Sequence, residues 1–378
     1  MKKFICIPDS FKGTLSSAQV CSIMEKAIHR HFPKSEVVKI EVADGGEGSV
    51  DAFLAALGGI KIKVTVNNPY FEPMESFYGL LDGQVAVIEM AAAAGLPLVS
   101  DRPNPYMTTT FGVGELMLDA ISRGCKKIIV GLGGSSTNDG GTGAAAALGI
   151  RFLDASGKSF VPTGKTLKDI VSIDLGGLDP RFQEVEIITM CDIDNPMFGP
   201  KGAAYIFAPQ KGATPDMVEV LDQGLRHLAK VIEKQLGIHV STIPGGGAAG
   251  AMGAGMVAFF NSRLQMGIET ILDLVDFDRL IQDADLIFTG EGKIDAQSLQ
   301  GKVPIGVARR AKKAGVDVIA VVGCIGEDIE AAYDLGITSI FSINPAPVPY
   351  EIAKLRSKEN LALTMDNIVR ILHDKAHR

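Results

Sequence analysis

Cysteine is scarce in this chain. The five residues, at 6, 21, 125, 191 and 324, are odd in number and never spaced as C-x-x-C. That excludes a disulfide framework and a cysteine zinc site. Four of them stand in or beside apolar strand-like runs, where cysteine serves as a small buried hydrophobe, so the chain reads as a protein of the reducing cytoplasm. No apolar run approaches the roughly 18 residues of a membrane span. The N-terminal "MKKFICIPDS" is too short for a signal-peptide core and reads as a first strand. Basic excess is also absent: the net charge is −7 and no window is strongly basic, which excludes a nucleic-acid partner. An anionic ligand must therefore be held locally, by backbone amides, lysines and metal ions.

Histidine is equally uninformative. The six histidines, at 29, 31, 227, 239, 373 and 377, avoid the acidic turns described below. His29 and His31 are two apart and cannot share a helix face, so a histidine triad or zinc site is excluded. There is no G-x-x-x-x-G-K-[ST] phosphate loop, and the protein-kinase set of motifs is missing. "GGSST" fails as a nucleophile elbow because position 137 is threonine.

What is present is a 378-residue chain, 46% hydrophobic and 21% charged, too long for one ordinary core. Strand-like runs at 3–8, 36–42, 60–66, 84–90, 126–132, 185–191, 203–208, 284–289, 316–322 and 338–343 alternate with helical patterns. The helical patterns fall at 16–31, 48–57, 110–123, 140–149, 214–236, 248–264, 303–314, 327–335 and 357–375. The alternation predicts an α/β fold with parallel sheets covered by helices. From 60 to 90 strand signals dominate, predicting an antiparallel or mixed portion, and 153–184 is turn-rich. No internal repeat or low-complexity linker appears. Acidic, glycine-rich turns recur at both ends of the chain, which predicts a discontinuous domain of 1–66 and 284–378 with an α/β domain, 67–283, inserted.

Five strand-like runs end in such a turn. "DSFKG" carries Asp9, Ser10 and Lys12; "DGGEG" carries Asp44 and Glu47; "GGSSTNDGGTG" carries Ser135, Ser136, Thr137, Asn138 and Asp139. "DIDNP" carries Asp192, Asp194 and Asn195, and "GEGKID" carries Glu291, Lys293 and Asp295. Ligands of open α/β sheets bind outside the carboxyl ends of strands, and parallel strands bring such turns to one edge. Carboxylates and amide oxygens suit magnesium. Glycine loops expose N–H groups to phosphate. Lys12, Lys211, Lys293 and Lys302 supply cations for a transferring phosphoryl group. The set reads as magnesium–nucleotide phosphoryl transfer. Each turn alone also has a plain reading, since Asp-Gly pairs are ordinary turn formers.

The loop at 133–143 holds five glycines in eleven residues between a strand and a helix, a place for close backbone approach. "GGGAAG", 245–250, fits G-x-G-x-x-G after the strand-like "IHVSTIP", and Glu269 lies near the distance of a ribose-binding acid. An NAD-dependent oxidoreductase is therefore the competing reading, and a binding protein on a degenerate kinase scaffold is a third. "TTTFG" offers Thr108, Thr109 and Thr110 hydroxyls and helix N–H groups to a carboxylate, or only a helix cap.

In order along the chain, "PDSFKG", "ADGGEG", "TTTFGVGEL", "GGSSTNDGGTG", "CDIDNP", "PQKGA", "PGGGAAGAMG" and "TGEGKID.QS..GKVP" resemble the bacterial glycerate kinase family, the type related to glycerate 2-kinase. The resemblance spans residue 1 to about 375. Ser136, Thr142 and Gly246 depart from the expected small residues without removing an acid or lysine. The resemblance implies ATP-dependent phosphorylation of D-glycerate, chiefly to 2-phosphoglycerate, with magnesium. It also implies a Rossmann-like domain from both chain ends, a larger inserted α/β domain, and a site in the cleft. On that footing Asp192, Asp194, Lys12 and Lys293 are the expected catalytic residues, with Asp192 and Asp194 as magnesium ligands. Asp9, Ser10, Asp44, Glu47, Thr109, Thr110, Ser135, Ser136, Asn138, Asp139, Asn195, Lys211, Gly245, Gly247, Gly250, Glu291, Asp295 and Lys302 are the expected substrate and phosphate contacts.

Overall fold

The computed structural model describes residues 2–376 apart from 43–45, 47, 83 and 347. The expected contacts Asp44 and Glu47 lie outside the described residues. The chain divides into two compact units, Met1–Ala43 with Ile268–Arg378, and Asp44–Gly267.

The first unit is built on a five-stranded parallel sheet in the order Ser339–Ser342, Val318–Val322, Leu286–Gly290, Lys3–Pro8, Glu36–Lys39. The central strands are almost wholly buried, as near-continuous apolar runs are when helices cover both faces of a parallel sheet. Helices Ser17–His31 and Ser357–Ala376 pack together and bury Val20, Met24, Ile28, Leu361 and Met365 against Phe4, Cys6 and Phe288. The first of these helices starts at a capping box: Ser16 accepts from the Gln19 amide while the Gln19 side chain accepts from Ser16. Helix Val303–Ala314 packs on strands Lys3–Pro8 and Leu286–Gly290. Counted within the unit, the strand order is 2-1-3-4-5, the doubly wound order whose direction switches between the first and third strands. That switch lies between Lys3–Pro8 and Leu286–Gly290.

The second unit carries a six-stranded mixed sheet in the order Arg263–Gln265, Glu186–Met190, Lys127–Gly131, Val85–Glu89, Pro73–Leu81, Ile60–Asn67. The first four run parallel and the last two close the sheet antiparallel, so the strand-rich stretch 60–90 is a meander feeding a parallel core. Helices Phe111–Ser122, Thr142–Ala147, Pro215–Leu236 and Ala248–Phe260 contribute to one core with Ile88, Ile128, Val130 and Phe152. The turn-rich stretch forms a small three-stranded sheet of Arg151–Leu153, Ser159–Phe160 and Ser172–Asp174.

Four expectations need correction. The first division falls at 43/44 rather than 66/67, because Ile60–Asn67 pairs along its length with Pro73–Leu81. The second falls at 267/268 rather than 283/284: Arg310 holds Glu269 and Asp273, and Ile268 lies against Gly306, within the first unit. The run at 203–208 is a helix, Ala203–Phe207, whose two alanines are buried. A short apolar run does not distinguish a strand from a buried helix, and alanine favours the helix. The strand-like "IHVSTIP" forms no strand.

Candidate active site

The expected residues fall into one group in each unit. In the first unit they gather at the carboxyl ends of the two strands that flank the switch point. Asp9 follows Lys3–Pro8, its N–H bonded to the Gly290 carbonyl at 2.8 Å, and its carboxylate accepts from the Ser10 N–H at 2.6 Å. Gly292 packs against the Phe11–Lys12 backbone, so the two turns touch. Lys293 is exposed and pairs with Asp295 at 3.0 Å, which holds the lysine above and the carboxylate below its ordinary range. Lys302 occupies the N-cap position of helix Val303–Ala314 without a side-chain capping bond.

Glu291 is the unusual member of this group. It is only 5% exposed, and its Oε1 has no hydrogen-bond partner. Burial pushes its carboxyl up to about 7; Ser298 and Lys302 oppose the shift, and Asp9 and Asp295 add to it. A buried acid poised near neutrality at a switch point has the chemistry of a proton-transfer or hydrogen-bonding group.

In the second unit the loop after Lys127–Gly131 and the turn after Glu186–Met190 leave neighbouring parallel strands at the same edge. Asp139, in the middle of the first, is fully buried. Its carboxylate accepts from the Thr110 N–H at 2.7 Å, the Thr110 hydroxyl at 2.9 Å, the Gly141 N–H at 3.1 Å and the Gly143 N–H at 3.3 Å, with the Thr109 hydroxyl at 3.5 Å. Burial raises its pKa against these donors. The carboxylate received at the start of helix Phe111–Ser122 is thus that of Asp139. Thr108 donates to the Ser136 carbonyl, and Ser136 donates to the Ala94 carbonyl.

Lys211 is 2% exposed. Its ammonium donates to the Ser135 hydroxyl and to the Thr137 carbonyl, both at 2.7 Å. Burial brings its pKa down to about 7, with Asp139 the charge that opposes the shift. The neighbouring Thr137 hydroxyl and both polar atoms of the Asn138 amide are buried without a partner.

Asp194 is exposed, and so is Asp192, whose Oδ1 accepts from the Gly267 N–H at 2.8 Å. Asn195 donates to the Lys201 carbonyl and accepts the Gly247 N–H. The "GGGAAG" turn lies over these loops. A Cβ on Gly245 would meet Cys191 Sγ at 2.8 Å, one on Gly247 the Pro196 carbonyl at 2.3 Å, and one on Gly250 the Thr137 carbonyl at 2.0 Å. The close approach these glycines permit is therefore made by the protein's own chain, not by a phosphate. No strand precedes the turn, and Ala249, Gly250 and Ala251 are left-handed, with φ of 56°, 64° and 67°. Both features depart from a dinucleotide fingerprint, which needs a strand and a regular helix start.

Sequence reasoning missed Glu89. Only 3% exposed, it ends the Val85–Glu89 strand and accepts the Val50 N–H at 2.7 Å near the start of helix Ser49–Leu57; burial raises its pKa. A lone acid closing an apolar strand was the available signal. The left-handed alanines carried none.

A doubly wound parallel sheet with an acid-and-lysine cluster at its switch point, joined in one chain to a mixed-sheet unit with a glycine-rich polar loop, defines an α/β enzyme of small polar ligands. The glycerate kinase family model matches residues 4–373. A glycerate kinase of Bacillus subtilis (strain 168) is 46% identical over 368 residues, 97% of this chain and 96% of the relative. A glycerate 2-kinase of Escherichia coli (strain K12) is 44% identical over 343 residues, 90% of each chain. A crystal structure from Salmonella typhimurium LT2, provisionally described as glycerate kinase 2, superimposes with a TM-score of 0.87 at 40% identity over the whole of both chains. This chain belongs to the glycerate kinase family and is a phosphotransferase.

Proposed function

We propose that the enzyme transfers the terminal phosphoryl group of ATP to a hydroxyl of D-glycerate, giving 2-phosphoglycerate and ADP, with magnesium. The observation that carries this reading is the family match across nearly the whole chain; the 2-position rests on the name of the Escherichia coli relative. Lys12, Lys293 and Lys302 are suited to neutralise phosphoryl charge. Glu291 is suited to hold or take a proton near neutral pH. Asp9 and Ser10 contribute polar groups beside it, and Ser135, Ser136, Asn138 and Lys211 serve substrate or phosphate binding.

The donor set fits magnesium. Asp192 and Asp194 are exposed hard-oxygen donors, and magnesium is commonly bound by one or two carboxylates with substrate phosphates and water rather than by a protein cage. Bound there, the ion would neutralise phosphate charge. The cytoplasm is the proposed location, from the scarcity and spacing of cysteine.

The test is ADP release from ATP measured with D-glycerate and magnesium together and with each omitted. The proposal requires both. Undiminished turnover in excess EDTA would remove magnesium from the account, and ADP release independent of glycerate would remove the acceptor.

A further inference from the structure

The loop at 135–138 contains more polar capacity than the protein itself uses. Thr137 and Asn138 are fully buried, yet the Thr137 hydroxyl and both atoms of the Asn138 amide have no partner. Buried polar groups are almost always satisfied, so three unpaired atoms on consecutive residues call for a ligand. The Lys211 ammonium lies 2.7 Å from the carbonyl that joins these two residues. Its two hydrogen bonds leave one of its three N–H groups over. Asp139 is the charge that favours its ionised form, and that carboxylate is engaged by Thr110 and the glycine amides. A buried cation without an ion-pair partner is costly, and an incoming anion removes that cost.

We propose that Thr137, Asn138 and Lys211 form the pocket that takes the organic acid, binding its carboxylate and its non-reacting hydroxyl, rather than a phosphate of the nucleotide. The count of donors and acceptors favours the acid. A nucleotide phosphate brings acceptors only, which would leave the Asn138 Oδ1 unpaired. A hydroxy acid brings both kinds of group. Its carboxylate accepts from Asn138 Nδ2, the Thr137 hydroxyl and Lys211, and its hydroxyl donates to Asn138 Oδ1. This rests on the proposed acceptor being glycerate; with transfer to the 2-position, the recognised hydroxyl is the one on carbon 3.

Ligand arrival also has a proton signature. Lys211 stands near neutrality through burial, and Asp139 is the charged group facing it. A carboxylate beside it favours the charged form, so binding at about pH 8 takes up a proton.

The experiment is calorimetric titration of wild-type, Asn138→Ala, Thr137→Val and Lys211→Met enzymes with D-glycerate, D-lactate and magnesium–ADP. D-lactate lacks the carbon-3 hydroxyl. Wild-type enzyme should bind D-glycerate more tightly than D-lactate. Asn138→Ala should weaken D-glycerate roughly 30- to 100-fold, the scale of one unpaired buried group, and erase the preference over D-lactate. Magnesium–ADP affinity should not change. Thr137→Val keeps the side-chain shape and decides the matter should Asn138→Ala melt early. The proton uptake, read as a dependence of binding enthalpy on the buffer's ionisation enthalpy, should vanish in Lys211→Met. Unchanged D-glycerate affinity in a folded Thr137→Val or Asn138→Ala enzyme overturns the pocket, as does a loss confined to magnesium–ADP. If the wild type binds D-glycerate but transfers no phosphate from ATP, the proposed function fails and the pocket stands. If the wild type turns over while the variants keep their affinity for D-glycerate, the pocket fails and the function stands.

Discussion

Replacing Gly250 by alanine strikes the junction between the left-handed turn and the polar loop. The added Cβ would stand 2.0 Å from the Thr137 carbonyl oxygen, 2.5 Å from Asn138 Cα and 2.7 Å from the Thr137 carbonyl carbon. These are backbone atoms, so no side chain can swing away. The Gly250 carbonyl also accepts the Gly140 N–H at 3.0 Å, which ties the two segments together. Contacts roughly 1 Å inside ordinary separation force the loop outward. Overpacking costs about 1–3 kcal/mol. The φ of 64° adds about 1–2 kcal/mol for a residue with a Cβ. The sum, about 2–5 kcal/mol, should lower Tm by roughly 5–15 °C for a unit of this size. Moving Asn138 by about 1 Å should also lower kcat/KM about 10²-fold. Gly237→Ala is the control: its φ is 72°, but nothing lies within 4 Å of its Cβ position. That variant isolates the backbone cost, about 1–2 kcal/mol. Calorimetric melts and steady-state kinetics on both variants separate clash from strain. A Gly250→Ala enzyme that melts with Gly237→Ala and keeps wild-type kcat/KM would refute the reasoning.

Further expectations follow from the charged groups. Asp194→Asn should leave Tm within a few degrees of wild type and lower kcat about 10²-fold or more; a lowered Tm with intact kcat would make Asp194 structural. Lys211 sits near 7 when folded, below its ordinary 10.5, so stability should fall as pH drops from about 10 through 7, by about 1.4 kcal/mol per unit; denaturant titrations should show this slope flattened in Lys211→Met. Glu291 has the opposite sign: its folded value of about 7 lies above the ordinary 4.5, so its contribution is complete below about 4.5 and is lost as pH rises through 7. Glu291→Gln should therefore melt higher than wild type above about pH 7, and equal melting at every pH would contradict the buried-acid assignment. NADH should bind no more tightly than the millimolar range, about −4 kcal/mol, because "GGGAAG" packs against protein; micromolar binding by fluorescence would reverse that reading.

The parts of this architecture that were legible in the sequence are those where one periodicity has one solution. Apolar runs such as "FICIP" and "LIFTG" bounded by acid and glycine are buried parallel strands, and their ends lie where the turns Asp9–Lys12 and Glu291–Asp295 form. The run at 203–208 has no such single solution: it is short and apolar, and it forms a helix with its two alanines buried. Domain assignment by recurring acidic turns misplaced Ile60–Asn67, because it cut the chain between two strands that pair as a hairpin, Ile60–Asn67 with Pro73–Leu81. In the candidate site, residue type was legible but division of labour was not. Thr109, Thr110 and Asp139 have the composition of an anion site, yet their polar atoms largely satisfy one another. Asn138 and Thr137, one position away, do not. That distinction depends on side-chain direction inside a loop rich in glycine, where φ is free. Ala249 and Ala251 adopt left-handed geometry that alanine composition argues against, and the surrounding contacts hold them there.

The most direct test of the central claim is a phosphorus-31 NMR time course of purified enzyme with ATP, magnesium and D-glycerate. The account predicts that the γ-phosphate resonance of ATP declines while ADP and 2-phosphoglycerate grow in equal amounts, and that omitting D-glycerate stops the change. Accumulation of 3-phosphoglycerate instead would contradict the proposed position of transfer. Release of inorganic phosphate alone, or no consumption of ATP, would contradict the account of this chain as an ATP:glycerate phosphotransferase.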